Sequence, residues 1–396
     1  MPGHEISQMQ SKLTLNDTRI FILILVVSCL SGLDYMVDGA RYIKYLALPI
    51  TLLILAVRRF KFQREITKAD LPFLALLAWP AISIMWGNLE LGAKDVFFIA
   101  SYIVPLALFQ RRGISIEAVF YIYTAIFFVS AIPRDFGQLS ISESTSFLEG
   151  AESFVFGAFA LAFAMNKKRA LTIIALLLLI ITLKRIALLG FLVCLLLWMV
   201  PGNFKSLLIS RIAVLSLNAL VVASIVIFTS GALDDVILDL TGKTPSGFTL
   251  GRNELYAGVV QDIILHPSGL IFGNGAGSAY EKALSMYNGE LLNPNLHCDT
   301  LKIFYEYGII FFICFFFSLG GLGEDKSRIM AIYISVLFAT DNVIIYSNTM
   351  FIVLYISYRL VNPQVKQGLP KPYRNEVPGL RKHFRSSPPG VPRANQ

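Results

Sequence analysis

Apolar residues run along this chain in continuous blocks of about 15–20, separated by short polar or charged stretches, from near residue 19 to residue 361. Blocks of that length and continuity predict helices that cross a bilayer, and their lack of strict alternation argues against a β-barrel. Twelve can be marked, at about 19–37, 41–57, 71–86, 94–110, 115–132, 152–166, 169–183, 186–201, 211–230, 300–320, 328–345 and 347–361. The stretch "RALTIIALLLLIITLKRIALLGFLVCLLLWMV" reads either as one long helix or as two that break at Lys184 and Arg185. The pattern therefore predicts an all-α polytopic membrane protein with about 12 transmembrane helices and one large loop.

Composition agrees with that pattern. The chain has 396 residues, of which 55% are hydrophobic and only 15% charged, too few charges to cover the surface of a soluble domain of this size. None of the four cysteines sits in a CxxC pair, and Cys29, Cys194 and Cys314 fall inside apolar runs. They read as small hydrophobes, so no disulfide framework or zinc site is expected. The first apolar run lacks a small-x-small cleavage site and is expected to be an anchor, not a removed signal.

Charge orients the spans. "RRFKFQREITK" at 58–68 is strongly basic, which places the loop after the second span in the cytoplasm. Alternation then puts "QRR", "NKKR", Lys205, "KSR" and the tail on the same side, leaving Lys184 and Arg185 as the exception. The tail after Val361 carries seven Lys or Arg against Glu376 alone, a net of +6 out of +8 for the chain. Such a tail fits a cytoplasmic membrane surface better than a nucleic-acid partner, and its Pro, Gly and Ser content predicts disorder. Five regions follow: a cytoplasmic N-terminus (1–18), nine spans (19–230), a large outer loop (231–298), three spans (299–361) and a basic cytoplasmic tail (362–396).

The outer loop is rich in signals. "RNELYAGVVQDIILHP" places Leu255, Tyr256, Val259, Val260, Ile263 and Ile264 on one helical face, which predicts an amphipathic helix ended by His266-Pro267. "FGNGAGSAY" follows. No strand precedes it, so its glycines predict a close backbone approach to a ligand or helix, not a nucleotide loop. "NPNLHCDTLKIFYEYG" then enters the next span, with His297 at its mouth. A neutral imidazole there can accept a proton near neutral pH; a polar interfacial residue beside Asp299 is the plainer alternative.

These stretches resemble the C-terminal region of the O-antigen ligase and bacterial polysaccharide polymerase superfamily. The shared features are Gly251-Arg252 opening an amphipathic helix, the glycines from Gly273 to Gly277, and His297 through Gly308 entering a span. Cys298 and Phe311 depart from the pattern, where Asn and a small residue are usual. "ITLKRIALLGFL" is similar to the family's earlier Arg-bearing span, with Arg185 in the matching place. The resemblance implies a C-type membrane glycosyltransferase fold in a bacterial inner membrane, with both termini cytoplasmic and the site periplasmic.

It further implies polyprenyl-diphosphate-linked glycans as substrates, no cofactor or metal, and a chain-length regulator and a flippase as partners. A polymerase of lipid-linked repeat units is the expected activity. The alternatives are a ligase that moves finished glycan to lipid A-core and, in a different class, a lipid-linked sugar flippase. Chemically, His297 suits the base, while Arg252 and Arg185 suit the leaving diphosphate, which guanidinium binds in bidentate fashion. A bilayer-buried Arg185 would cost about 2.5–3.5 kcal/mol on insertion, whereas a snorkelling interfacial Arg is the bland alternative. Tyr256, Gly273, Gly275, Tyr280, Asp299 and Tyr305 are the candidates for contact with the glycan, and the tyrosines equally suit an interfacial aromatic belt. Asp341, Asn342 and Tyr346 are candidates for a supporting role.

Overall fold

Every one of the twelve predicted apolar segments contains helix in the computed structural model, which describes residues 18–30, 40–58, 70–109, 114–131, 150–242, 244, 247, 251–286 and 295–361. The described residues are all-helical, without strands. The predicted basic tail lies outside them.

In chain order the helices are α1 (Thr18–Cys29), α2 (Ala47–Arg58), α3 (Leu71–Ser83), α4 (Leu89–Phe109), α5 (Ile116–Ala131) and α6 (Glu152–Met165). Then come α7 (Arg169–Ile181), α8 (Arg185–Met199), α9 (Gly202–Leu208), α10 (Arg211–Thr229) and α11 (Asp234–Thr241). The chain continues with α12 (Arg252–Leu265), α13 (Gly269–Phe272), α14 (Ser278–Met286), α15 (Asp299–Leu319), α16 (Asp325–Phe338) and α17 (Ser347–Val361). Short 3₁₀ turns at Ala40–Leu46 and Val343–Ile345 precede α2 and α17. Among the described residues α10 and α15 are long and apolar enough to cross a membrane, and shorter apolar helices accompany them.

The ambiguous stretch around Lys184 resolves as two helices. Leu183 takes φ 52°, a left-handed conformation that ends α7 and lets α8 begin at Arg185. Small residues set the packing here. Gly157 on α6 and Gly190 on α8 face Tyr333 of α16, where a Cβ would strike the ring. The Tyr333 hydroxyl donates to the Phe154 carbonyl at 2.8 Å, so the ring fills the groove with its polar end satisfied.

The core helix α15 is broken. Gly308 sits inside it at φ 77°, ψ 174°. A break there leaves preceding carbonyls without helical partners. The glycine-rich loop meets this need: the Asn274 and Gly275 amides donate to the Tyr305 and Glu306 carbonyls at 3.0 and 2.9 Å. Gly273 and Gly275 both have positive φ, and a Cβ on either would collide with backbone, of Glu306 in one case and Gly87 in the other. The far side of the loop holds the α3–α4 turn. Asn88 donates its amide to the Ala276 carbonyl at 3.0 Å, and the Ala276 amide donates to Ser83 Oγ at 3.2 Å. The close approach predicted for these glycines is thus to helix backbone, and Gly273 and Gly275 are packing positions.

The predicted amphipathic helix is α12. It buries Leu255, Tyr256, Val259 and Val260, while Ile264 at the end of the predicted face stays 70% exposed.

Candidate functional site

His297 is the residue immediately before the N-cap of α15. Cys298 caps the helix, its Sγ accepting the Leu301 amide at 3.4 Å. His297 itself takes φ 53°, a strained backbone state for a residue with a Cβ. Two neighbours hold that state in place. The His297 amide donates to Asn342 Oδ1 at 3.0 Å, and the Tyr256 hydroxyl donates to the His297 carbonyl at 3.2 Å. Burial keeps the Tyr256 phenol protonated and able to donate. Among the described residues no protein group hydrogen-bonds the imidazole, so its nitrogens remain for a ligand.

Three charges act on that imidazole. Burial lowers its proton affinity first; Arg252 lowers it further, Asp341 raises it and Lys184 lowers it again. The outcome is a histidine held below the usual imidazole range, hence neutral near pH 7. Arg252, the first residue of α12, is half-buried, and its Nη1 donates to the Thr340 carbonyl at 3.5 Å. No carboxylate pairs with it among the described residues. The left-handed Gly251 at the N-cap, φ 81°, turns the chain into the helix at that point.

Lys184 completes the cluster. Its Nζ lies 3.1 Å from Asp341 Oδ2 and 5.6 Å from the Phe154 ring centroid. Asp341 Oδ1 accepts the Asn342 amide at 2.8 Å and the Tyr346 hydroxyl at 3.2 Å. The segment 341–346 is anchored from below by Asp299, whose Oδ2 accepts the Ile344 amide at 2.8 Å.

Several expectations need correction here. Arg185, the expected second arginine, is exposed on α8 and does not join the cluster; its neighbour Lys184 does. The left-handed Leu183 sets which of the two faces inward. Asp299 is fully buried and braces the turn through the Ile344 amide. Tyr305 is also buried, its hydroxyl donating to Asp262 Oδ2 at 2.6 Å in a second cluster with Lys282 and His266. Burial alone would raise the Asp262 carboxyl, but the hydrogen bonds from Tyr305 and Lys282 outweigh it and hold it below its ordinary range. Tyr280 lies elsewhere, under Lys94. Of the expected site residues, His297, Arg252 and Tyr256 come together.

Cys298 is no nucleophile: burial pushes its thiol up to about 12, so the thiolate is absent near neutral pH. A third polar cluster went unpredicted. Lys302 on α15 pairs with Asp95 on α4, and Glu306 Oε2 lies 3.9 Å from the same ammonium. Glu306 Oε1 accepts the Ala279 amide at 3.2 Å, tying α14 to the break in α15. Three charges in apolar runs were the available signal. Among the described residues no group of three or more His, Cys, Asp or Glu is placed to hold a metal ion.

The arrangement offers a neutral imidazole free at its nitrogens, beside a guanidinium and an ammonium. It can take a proton from a hydroxyl and hold an anionic leaving group. No protein-family model matches the chain, and no curated protein or solved structure matches it.

Proposed function

We propose that this chain is a membrane glycosyltransferase of the C type that polymerises lipid-linked oligosaccharide repeat units. In this reading the twelve apolar helical segments cross a bacterial inner membrane, with both termini in the cytoplasm and the 231–298 loop in the periplasm. The outward faces support it: Ile212 and Leu220 of α10 are 68% and 64% exposed, which lipid would cover.

The observation that carries the activity is His297, held neutral beside two cations and left without a protein partner for its ring. The acceptor sugar hydroxyl gives its proton to an imidazole nitrogen while its oxygen attacks the anomeric carbon of the donor. The bond from that carbon to the diphosphate oxygen breaks, and polyprenyl diphosphate leaves with the electron pair. Arg252 and Lys184 stabilise the charge that grows there. The diphosphate already carries that charge well, so the step requires no metal.

Deleting the gene tests this. Loss of a polymerase leaves single repeat units attached to their final carrier. Long chains accumulating on the polyprenyl carrier would identify a ligase instead, and unchanged glycan would sink both.

A further inference from the structure

We propose that an exposed aromatic shelf around Lys94 binds the sugar-diphosphate head of the second lipid-linked glycan. This deepens the proposed function and rests on it, because a polymerase must hold two lipid-linked chains at once. Each brings its own diphosphate. Arg252 and Lys184 flank His297 and serve one of them.

The shelf supplies what the other needs. Lys94 on α4 sits with its Nζ 5.3 Å from the Tyr280 ring centroid and 5.9 Å from that of Phe98. Tyr45 stacks on Phe98 at 5.0 Å and meets Phe97 at 5.6 Å; Tyr42 extends the surface at 6.4 Å from Tyr45. Tyr42 and Phe97 are 58% and 39% exposed. Ring faces bind a cation but do not neutralise it. Among the described residues no carboxylate pairs with Lys94, so its charge stays available to a phosphate. Flat rings beside a free cation match a ligand that joins a pyranose, which stacks its C–H face on aromatics, to a diphosphate.

Position favours this ligand too. The three segments involved are the start of the second span, "WGNLELGAKD" with its helix, and the 231–298 loop. The charge pattern puts all three on the side that holds His297. The shelf is also coupled to the site. Asp95, next to Lys94, pairs with Lys302, which stands three residues past Asp299, the first residue of α15. That is about 4.5 Å of helix rise from the end that carries His297.

The test is saturation binding to the full chain in phosphatidylcholine nanodiscs. The probe is a radiolabelled short-chain polyprenyl-diphosphate-linked N-acetylglucosamine. Wild type should bind two molecules per chain. The Lys94→Ala/Tyr280→Ala double variant should lose one, or bind it about tenfold more weakly. Lys94→Arg and Tyr280→Phe keep cation and ring and should retain both, which excludes a folding defect at this surface. Two full-affinity sites in the double variant would overturn the shelf while leaving the His297 site standing. Conversely, Arg252→Ala with unchanged binding, beside a double variant that loses one molecule, would sink the reading of the His297 site and keep the shelf. If phosphatidylglycerol displaced the shelf-bound probe as fully as unlabelled probe does, the shelf would be a lipid-headgroup surface and the proposal would fall.

Discussion

On the proposed reading His297 carries both catalysis and backbone strain, and replacing it separates the two. Its side chain makes no protein hydrogen bond among the described residues, so His297→Ala removes no buried contact of that kind. Its φ of 53° persists in any replacement, since Asn342 and Tyr256 hold the backbone and not the ring. An L-residue there costs about 1–2 kcal/mol, which His and Ala share. His297→Ala should therefore stay within about 0.5 kcal/mol of wild type. Glycine escapes the steric penalty but loses more chain entropy on folding, which takes back about 0.5–1 kcal/mol. His297→Gly should thus be as stable as wild type or up to about 1.5 kcal/mol more stable.

Activity should not follow stability. A positioned base is worth about 10²–10⁴-fold in rate, equivalent to about 2.7–5.5 kcal/mol of barrier. Both variants should accumulate normally and both should lose long glycan. The measurements are polymer length on gels and thermal unfolding of purified protein in detergent. Full-length polymer from a well-folded His297→Gly protein would refute the base assignment. A His297→Gly protein much less stable than His297→Ala would refute the account of strain.

Arg252→Ala should abolish polymer and Arg252→Lys should impair it, since a lysine keeps charge but loses the planar fork; equal activity in wild type and the lysine variant would reduce Arg252 to a helix-start residue. Lys184→Ala should cut polymer sharply while Arg185→Ala leaves it intact, and the reverse result would show that the wrong member of the pair had been assigned. Wild-type activity should fall only as pH drops below the ordinary imidazole value of about 6.5, because His297 is held below it by burial and by Arg252 and Lys184. Removing the Lys184 ammonium should move that midpoint upward, and a pH profile read from residual transfer checks the sign. The same depression means that the unfolded chain takes up the proton first, so folded stability also declines as pH falls through this window.

Helix positions were legible because each apolar run is long, continuous and bounded by polar residues. The partners across the fold were not. Lys302 and Asp95 lie 207 residues apart, and nothing in either local sequence announces the other. The Lys184–Arg185 pair shows a finer limit. Lys184 is the extended N-cap of α8 and Arg185 its first helical residue, so which one meets Asp341 depends on the turn at the left-handed Leu183 that precedes them. The glycines were legible as places of close approach. What approached was hidden, because the need arises from carbonyls freed at Gly308 in another segment. His297 stood out for the reason that matters to its chemistry: a titratable residue placed where an apolar run begins.

The charges sort themselves by how their partners answer them. Lys302 is closed by Asp95 and approached by Glu306, and Lys282 by Asp262; each joins segments distant in sequence, as a brace must. Among the described residues Arg252 meets only a carbonyl at 3.5 Å, and Lys94 only ring faces. A cation neutralised by a carboxylate has little field left for a ligand, whereas one resting on neutral groups keeps it. Lys184 stands between these cases. Asp341 orients it across the Phe154 ring but is itself engaged by Tyr346 and the Asn342 amide, which draw density from the carboxylate. On the proposed reading, a diphosphate can then compete for the ammonium without leaving Asp341 bare. The turn that supplies Asp341 also supplies Asn342, which holds the His297 backbone. The residues that hold the His297 backbone and the Lys184 ammonium therefore come from one short segment, and the buried Asp299 braces that same turn through the Ile344 amide.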